Sequence, residues 1–123
     1  MFIDTLPCNA HTTCSDSLWA GLPLLTLAGK SFAARVAASL LNAINLSELI
    51  TTTQEEYEKT AIELAKNPDK LKVLKEKLEQ NRFTAPLFNT RLFTTNIEEA
   101  YKAMYERYCS DLSPINIEIE DQK

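Results

Sequence analysis

Two glycines in 123 residues, Gly21 and Gly29, constrain this chain more than any other feature. Glycine lets a backbone turn through positive φ, or close on a phosphate, without a steric penalty. The dinucleotide-binding fingerprint and the P-loop both need several glycines within one short loop, so neither is present. Any phosphate site here must be built without a glycine-rich loop. The length suits one compact domain and is too short for two. Hydrophobic residues make up 45% and charged residues 24%, enough apolar material for a core and without the polar excess of a disordered chain. The formal net charge of −4 gives no electrostatic case for a nucleic-acid backbone or an anionic membrane surface.

The pattern of apolar residues changes along the chain. Phe2-Ile3, running into Asp4 and Pro7, reads as the end of a buried strand with almost no amino-terminal half, so the chain is expected to begin inside an element. Thr12-Thr13-Cys14-Ser15-Asp16 supplies N-cap side chains for a short helix that stops at Gly21. Leu24-Leu25-Thr26-Leu27, between Pro23 and Gly29, is a second buried strand. Ser31 is placed to cap a helix over Phe32 to Ile44, rich in small and apolar residues.

From Thr53 the period becomes helical. Tyr57, Ala61, Leu64 and Ala65 share one face of a helix ending near Asn67-Pro68, and Leu71, Leu74 and Leu78 share one face of the next, with Asp69 as its expected cap. Pro86 interrupts the pattern, after which Ile97, Ala100, Tyr101, Met104, Tyr105 and Tyr108 form a long stripe. Such a stripe signals packing rather than a ligand platform. Lys72–Glu76 and Lys75–Glu79 are spaced as i,i+4 ion pairs on a solvated face. The fold class expected is α/β, with two or three parallel strands and a helical carboxy-terminal half. Its divisions are residues 1–50, 51–110 and a tail, 111–123, with too little apolar content to order itself. A sheet of two strands leaves an open edge, which favours self-association.

Cys8, Cys14 and Cys109 are too few, and odd in number, for the disulfide framework of a small secreted domain. Met1-Phe2-Ile3-Asp4 has neither the basic start nor the apolar run of a signal peptide, and no stretch reaches the roughly 18 apolar residues of a spanning helix. A reducing, cytoplasmic setting is expected.

The densest polar cluster, Cys8 to Asp16, lies between a strand end and a helix start. Ligands of open α/β sheets bind outside the carboxyl ends of strands, and a helix N-terminus presents unpaired N–H groups and a positive dipole end to phosphate. The hydroxyls of Thr12 and Thr13 add donors, and Asp16, one turn on, can accept hydrogen bonds from ribose hydroxyls. The plainer alternative is that Thr12, Thr13 and Asp16 only cap the helix. Cys8, His11 and Cys14 mimic a zinc spacing but lack a fourth ligand, and His11 has no evident group to orient it as a base. Arg35 needs an acidic or phosphate partner; an ion pair with Asp16 or Glu48 competes with ligand contact.

Asp4-Thr5-Leu6-Pro7-Cys8-Asn9-Ala10-His11-Thr12-Thr13, Leu18-Trp19-Ala20-Gly21-Leu22-Pro23, Arg35-Val36-Ala37-Ala38-Ser39 and Pro86-Leu87-Phe88-Asn89-Thr90 together resemble the carboxy-terminal catalytic lobe of O-linked N-acetylglucosamine transferases and their bacterial, SPINDLY-related relatives. The similarity runs over about residues 1 to 110 in the family's order. It implies a partial Rossmann-like lobe of a B-type glycosyltransferase, inverting, with no required metal and no cofactor beyond the UDP-sugar donor, UDP-N-acetylglucosamine. It places His11, Thr12 and Thr13 at the donor pyrophosphate and Asp16 at the ribose. Cys14, Ser15 and Lys30 depart from the animal pattern. The resemblance further implies that an amino-terminal lobe, tetratricopeptide repeats and the protein-acceptor site lie upstream of Met1, that the last helix packs on that lobe, and that this chain alone is inactive. The contrasting expectation is a stand-alone oligomerisation module that binds no nucleotide.

Overall fold

The computed structural model describes residues 1–119. Its sheet has β2, Leu24–Leu27, at the centre, with β1, Phe2–Ile3, and β3, Ile50–Thr51, parallel to it on either side. Phe2 pairs with Leu24, Ile3 with Leu25, Thr26 with Ile50 and Leu27 with Thr51. Leu24, Leu25 and Thr26 are completely buried, as a central strand covered on both faces requires. β1 and β2 are the two apolar runs of the sequence, but β1 is not the buried strand expected: it lies beside β2 with Phe2 half-buried and Ile3 43% exposed. β3 is an addition to them, because two residues are too few to show a period.

A parallel pair needs a crossover. The first is α1, Thr12–Trp19, and the second is α2, Val36–Ala43, followed by a 3-10 turn over Ser47–Leu49. α1 ends in a Schellman motif: Leu22 N donates to Ser17 O at 2.8 Å and Gly21 N to Leu18 O at 3.1 Å. Gly21 takes φ +78°, the left-handed conformation that this motif needs. α2 begins at Val36, which corrects the expected start at Phe32. The Ala34 carbonyl is taken out of the helical ladder by Gly29 N at 2.8 Å, and Ser31 caps only a turn, its Oγ accepting from Ala34 N at 3.2 Å. A Cβ on Gly29 would lie 2.7 Å from that of Ala34, so the approach requires glycine.

α3, Gln54–Lys66, opens with a capping box between Thr53 and Glu56. α4, Pro68–Thr84, is capped by Asn67, whose Oδ1 accepts from Lys70 N at 3.2 Å. This replaces Asp69 as the cap, because Pro68, with its fixed φ and missing N–H, suits the first helical position and leaves capping to the residue before it. The core gathers Cys14 and Leu18 from α1, Leu24 and Leu25 from β2, Ala37 and Leu41 from α2, Leu64 from α3 and Leu78 from α4. Tyr57 and Ala61 pack against it, whereas Ala65 is exposed. Lys72 and Glu76 pair at 3.8 Å, but Lys75 and Glu79 do not; the other lysines of α4 reach across to Glu63, from Lys70, and Glu48, from Lys77.

These elements, with a short 3-10 turn over Pro86–Phe88, make one unit, and a second begins at Asn89. It consists of α5, Thr90–Cys109, capped by Asn89, and a following stretch without regular structure up to residue 119. Arg107 donates to Ser113 O within this unit. The expected tail also covers residues 120–123, which lie outside the described residues. On the stripe of α5, Tyr101, Tyr105 and Tyr108 are 60%, 68% and 78% exposed. No described helix is long and apolar enough to cross a membrane.

Leu78→Ala is expected to lower the unfolding free energy by about 2–5 kcal/mol through a cavity at a fully buried site, whereas Val73→Ala on the exposed side of α4 changes it by less than about 0.5 kcal/mol. Denaturant unfolding followed by circular dichroism measures both. Burial pushes the Cys14 thiol up to about 12, with the Asp4 charge acting in the same direction. Because the thiolate is the nucleophile, exposed Cys8 and Cys109 should react with an aromatic disulfide reagent in the folded protein, and Cys14 only after unfolding.

Candidate functional site

The expected site lies where the chain leaves β1 and enters α1. Asp4, directly after β1, is 4% exposed, and a buried carboxylate must find donors. Its Oδ1 accepts from Thr5 N at 2.8 Å and Ala10 N at 2.7 Å, and its Oδ2 from Thr26 Oγ1 at 2.6 Å. The main-chain oxygen of Asp4 accepts from the Tyr57 hydroxyl at 2.6 Å. Burial, and secondarily the charge of Asp4, push that phenol above its ordinary value. Asn9, 3% exposed, adds a second brace: its Nδ2 donates to Thr5 O at 3.2 Å and Leu27 O at 3.5 Å, and its backbone N to Ala33 O at 3.1 Å. The segment from Thr5 to Ala10 is thereby closed on itself and tied to the sheet and to the segment before α2.

His11 is the N-cap residue of α1 and makes no side-chain cap bond. Its Nε2 is 3.3 Å from Ala33 O, so Nε2 carries a proton in that contact, and its ring meets Phe32 edge-on at 6.2 Å between centroids. Cys14 N and Ser15 N both donate to His11 O at 3.1 Å. The amides of Thr12 and Thr13 have no partner among the described residues, as the start of a helix dictates. The Thr12, Thr13 and Asp16 side chains are exposed and hydrogen-bond to nothing in the described chain, so the capping alternative is set aside. Spaced i,i+4 and i,i+3, they form one outward face of α1, while Cys14 and Leu18 turn into the core.

The expected ion pairs of Arg35 are likewise corrected. Its Nε donates to Ser31 O at 3.3 Å, Glu48 pairs with Lys77, and Asp16 stays free of both. Cys8 is exposed and Cys14 buried, and no group of three His, Cys, Asp or Glu able to hold a metal ion occurs among the described residues. The arrangement offers two free amides and two hydroxyls at a positive helix end, suited to an anion, with a free carboxylate one turn on to accept from hydroxyl groups. The spacing of apolar residues did not reveal Asp4, Asn9, Thr26 and Tyr57 as the supports of this site. The only local signal was an acid placed immediately after the first strand.

The chain matches the family model described as glycosyl transferase family 41 over residues 1–97. A protein of Arabidopsis thaliana named "Probable UDP-N-acetylglucosamine–peptide N-acetylglucosaminyltransferase SEC" is 41% identical over 120 residues, covering 97% of this chain and 12% of that protein. The UDP-N-acetylglucosamine–peptide N-acetylglucosaminyltransferase of Caenorhabditis elegans is 36% identical over 110 residues, covering 89% of this chain and 10% of its own length. Among solved structures, a mutant of the Thermobaculum terrenum O-GlcNAc transferase superposes with a TM-score of 0.83 at 36% identity, over 89% of this chain and 21% of that one. The chain therefore spans a small part of the proteins it matches. Its mixed α/β fold with three parallel strands is that of the corresponding part of a B-type glycosyltransferase. Sequence motifs, the family match over residues 1–97 and the superposition agree, and the chain belongs to glycosyl transferase family 41.

Proposed function

We propose that this chain supplies half of the donor-nucleotide pocket of an inverting protein O-glycosyltransferase that transfers N-acetylglucosamine from its UDP-linked donor to Ser or Thr of a protein acceptor. The observation that carries the proposal is the unpartnered outward face of α1, Thr12, Thr13 and Asp16, standing at the carboxyl edge of a parallel sheet. The free amides and hydroxyls of Thr12 and Thr13 would receive the diphosphate, and the Asp16 carboxylate the ribose hydroxyls. His11, protonated on Nε2 toward Ala33 O, borders the same helix end and would line the pyrophosphate.

The leaving group in such a transfer is a nucleoside diphosphate, whose charge grows as the glycosidic bond breaks. Donors fixed in advance by the helix stabilise that growing charge without reorganising. In this proposal no metal or further cofactor takes part. The remaining donor contacts, the group that takes the acceptor proton, the acceptor site and the helical repeats belong to other segments of a longer enzyme, and the isolated chain is inactive. Three free cysteines suit the reducing cytoplasm in which this enzyme would work.

UDP added to the 15N-labelled chain should move the amide resonances of residues 11–16 saturably. Asp16→Ala should weaken binding about ten- to hundredfold, the worth of a charge-assisted hydrogen bond. No saturable shift in the wild type would overturn the pocket in this chain. As a test of activity, the chain can be grafted in place of the matching segment of the solved bacterial relative. Transfer from UDP-N-acetylglucosamine should persist in the graft and fall at least about tenfold with Thr13→Val, which removes one oxyanion donor; a dead graft that folds and binds UDP would refute the catalytic part of the proposal.

A further inference from the structure

We infer that Asp4 is a positioning residue for donor binding, acting through a clamp that it forms with Thr26 and Tyr57; this rests on the donor-pocket reading above. Three features support the assignment. Asp4 itself is 4% exposed and cannot reach a bound nucleotide, yet its carboxylate accepts the amides at both ends of the segment preceding His11, Thr5 at 2.8 Å and Ala10 at 2.7 Å. The second oxygen is anchored on Thr26 of the central strand at 2.6 Å, and the Asp4 main-chain oxygen on Tyr57 of α3 at 2.6 Å. Thr26 is itself held by β3, its carbonyl accepting from Thr51 Oγ1 at 2.9 Å. The site-bearing segment is thus pinned at one residue to β2 and to α3, and through Thr26 to β3.

The clamp sets where α1 starts. Ala10 N, bonded to Asp4, is one residue before the N-cap His11 and two before the free amide of Thr12. Releasing it lets the first turn of α1 shift against the sheet, and a displacement of about 1 Å in a site of this kind is enough to lose most of its binding advantage. The apolar core of Leu18, Leu41, Leu49 and Leu78 is held by burial of side chains rather than by these hydrogen bonds.

The test is UDP affinity of the 123-residue chain, by titration calorimetry, in five variants beside wild type, each checked for folding by circular dichroism. Asp4→Asn keeps the side-chain shape but turns a donor toward Thr26 and removes the charge, and it should weaken UDP binding about tenfold or more. Thr26→Val should do the same, and Thr26→Ser, which keeps the hydroxyl, should stay within about twofold of wild type. Tyr57→Phe, losing one bond to the main chain, should fall between them. Leu78→Ala, which opens a cavity in the core but removes none of the clamp's hydrogen bonds, should bind as wild type. If Asp4→Asn and Thr26→Val bind UDP as well as wild type, the positioning role is overturned and the donor pocket stands. If Leu78→Ala is weakened as much as Asp4→Asn, the effect is global stability and the role is likewise overturned. A wild-type chain that binds no UDP overturns the donor pocket, and the positioning role with it.

Discussion

The carboxylate of Asp4 is the constraint on which the first unit depends. A charge held at 4% exposure is costly to desolvate, and the cost is met only because hydrogen-bond donors converge on it from two directions. Two of those donors are backbone amides of the segment that follows it, and one is a hydroxyl from the neighbouring strand. Continuing the β1–β2 register past Ile3 and Leu25 brings Asp4 opposite Thr26. The strand pairing and the path of the segment into α1 are therefore one condition: a slip of register would bury the carboxylate without its hydroxyl. Such a group contributes less to net stability than to the choice of a single arrangement, in keeping with its place between sheet and site.

That arrangement divides the labour on α1. The inward side, Cys14 and Leu18, is completely buried, and the outward side carries Thr12, Thr13 and Asp16 without a partner in the described chain. The two glycines act beside this face. Gly21 closes α1 through a left-handed turn, and Gly29 lets its own segment come against Ala34, next to the Ala33 carbonyl that receives Asn9 and faces His11. A chain without a glycine-rich loop thus spends its glycines on shaping the frame around a helix start.

Much of this was legible in the residues. Leu24 to Leu27 announced its strand because a fully buried strand is a short run of apolar residues bounded by proline and glycine, Phe2-Ile3 showed as a strand by its apolar pair although Ile3 is exposed, and α3, α4 and α5 announced themselves through a 3.6-residue period. Misplacements arose where a local preference met a tertiary competitor. Ser31 is a good cap, but Gly29 N captures the Ala34 carbonyl, so α2 starts at Val36. Asp69 is a good cap, but Pro68 takes the first helical position and Asn67 caps instead. Lys75 and Glu79 have the spacing of a pair yet do not form one, since exposed i,i+4 pairs are worth only tenths of a kcal/mol, about 0.3–0.5.

By itself the sequence determined the element types, the cluster from Cys8 to Asp16 as the chemically dense region, and, through its motifs, the family. Those properties are local, set by residue type, period and turn chemistry within a few positions. Only the tertiary structure decided that Thr12, Thr13 and Asp16 are free rather than capping, that Arg35 leaves Asp16 unpaired, that Ile50–Thr51 forms a third strand, and that Asp4, Thr26 and Tyr57 meet. Asp4 and Tyr57 are separated by 53 positions and Asp4 and Thr26 by 22. Contacts at such separations follow from strand register and helix docking, where burial of apolar faces over the whole core sets the geometry, and no short window of residues contains that information.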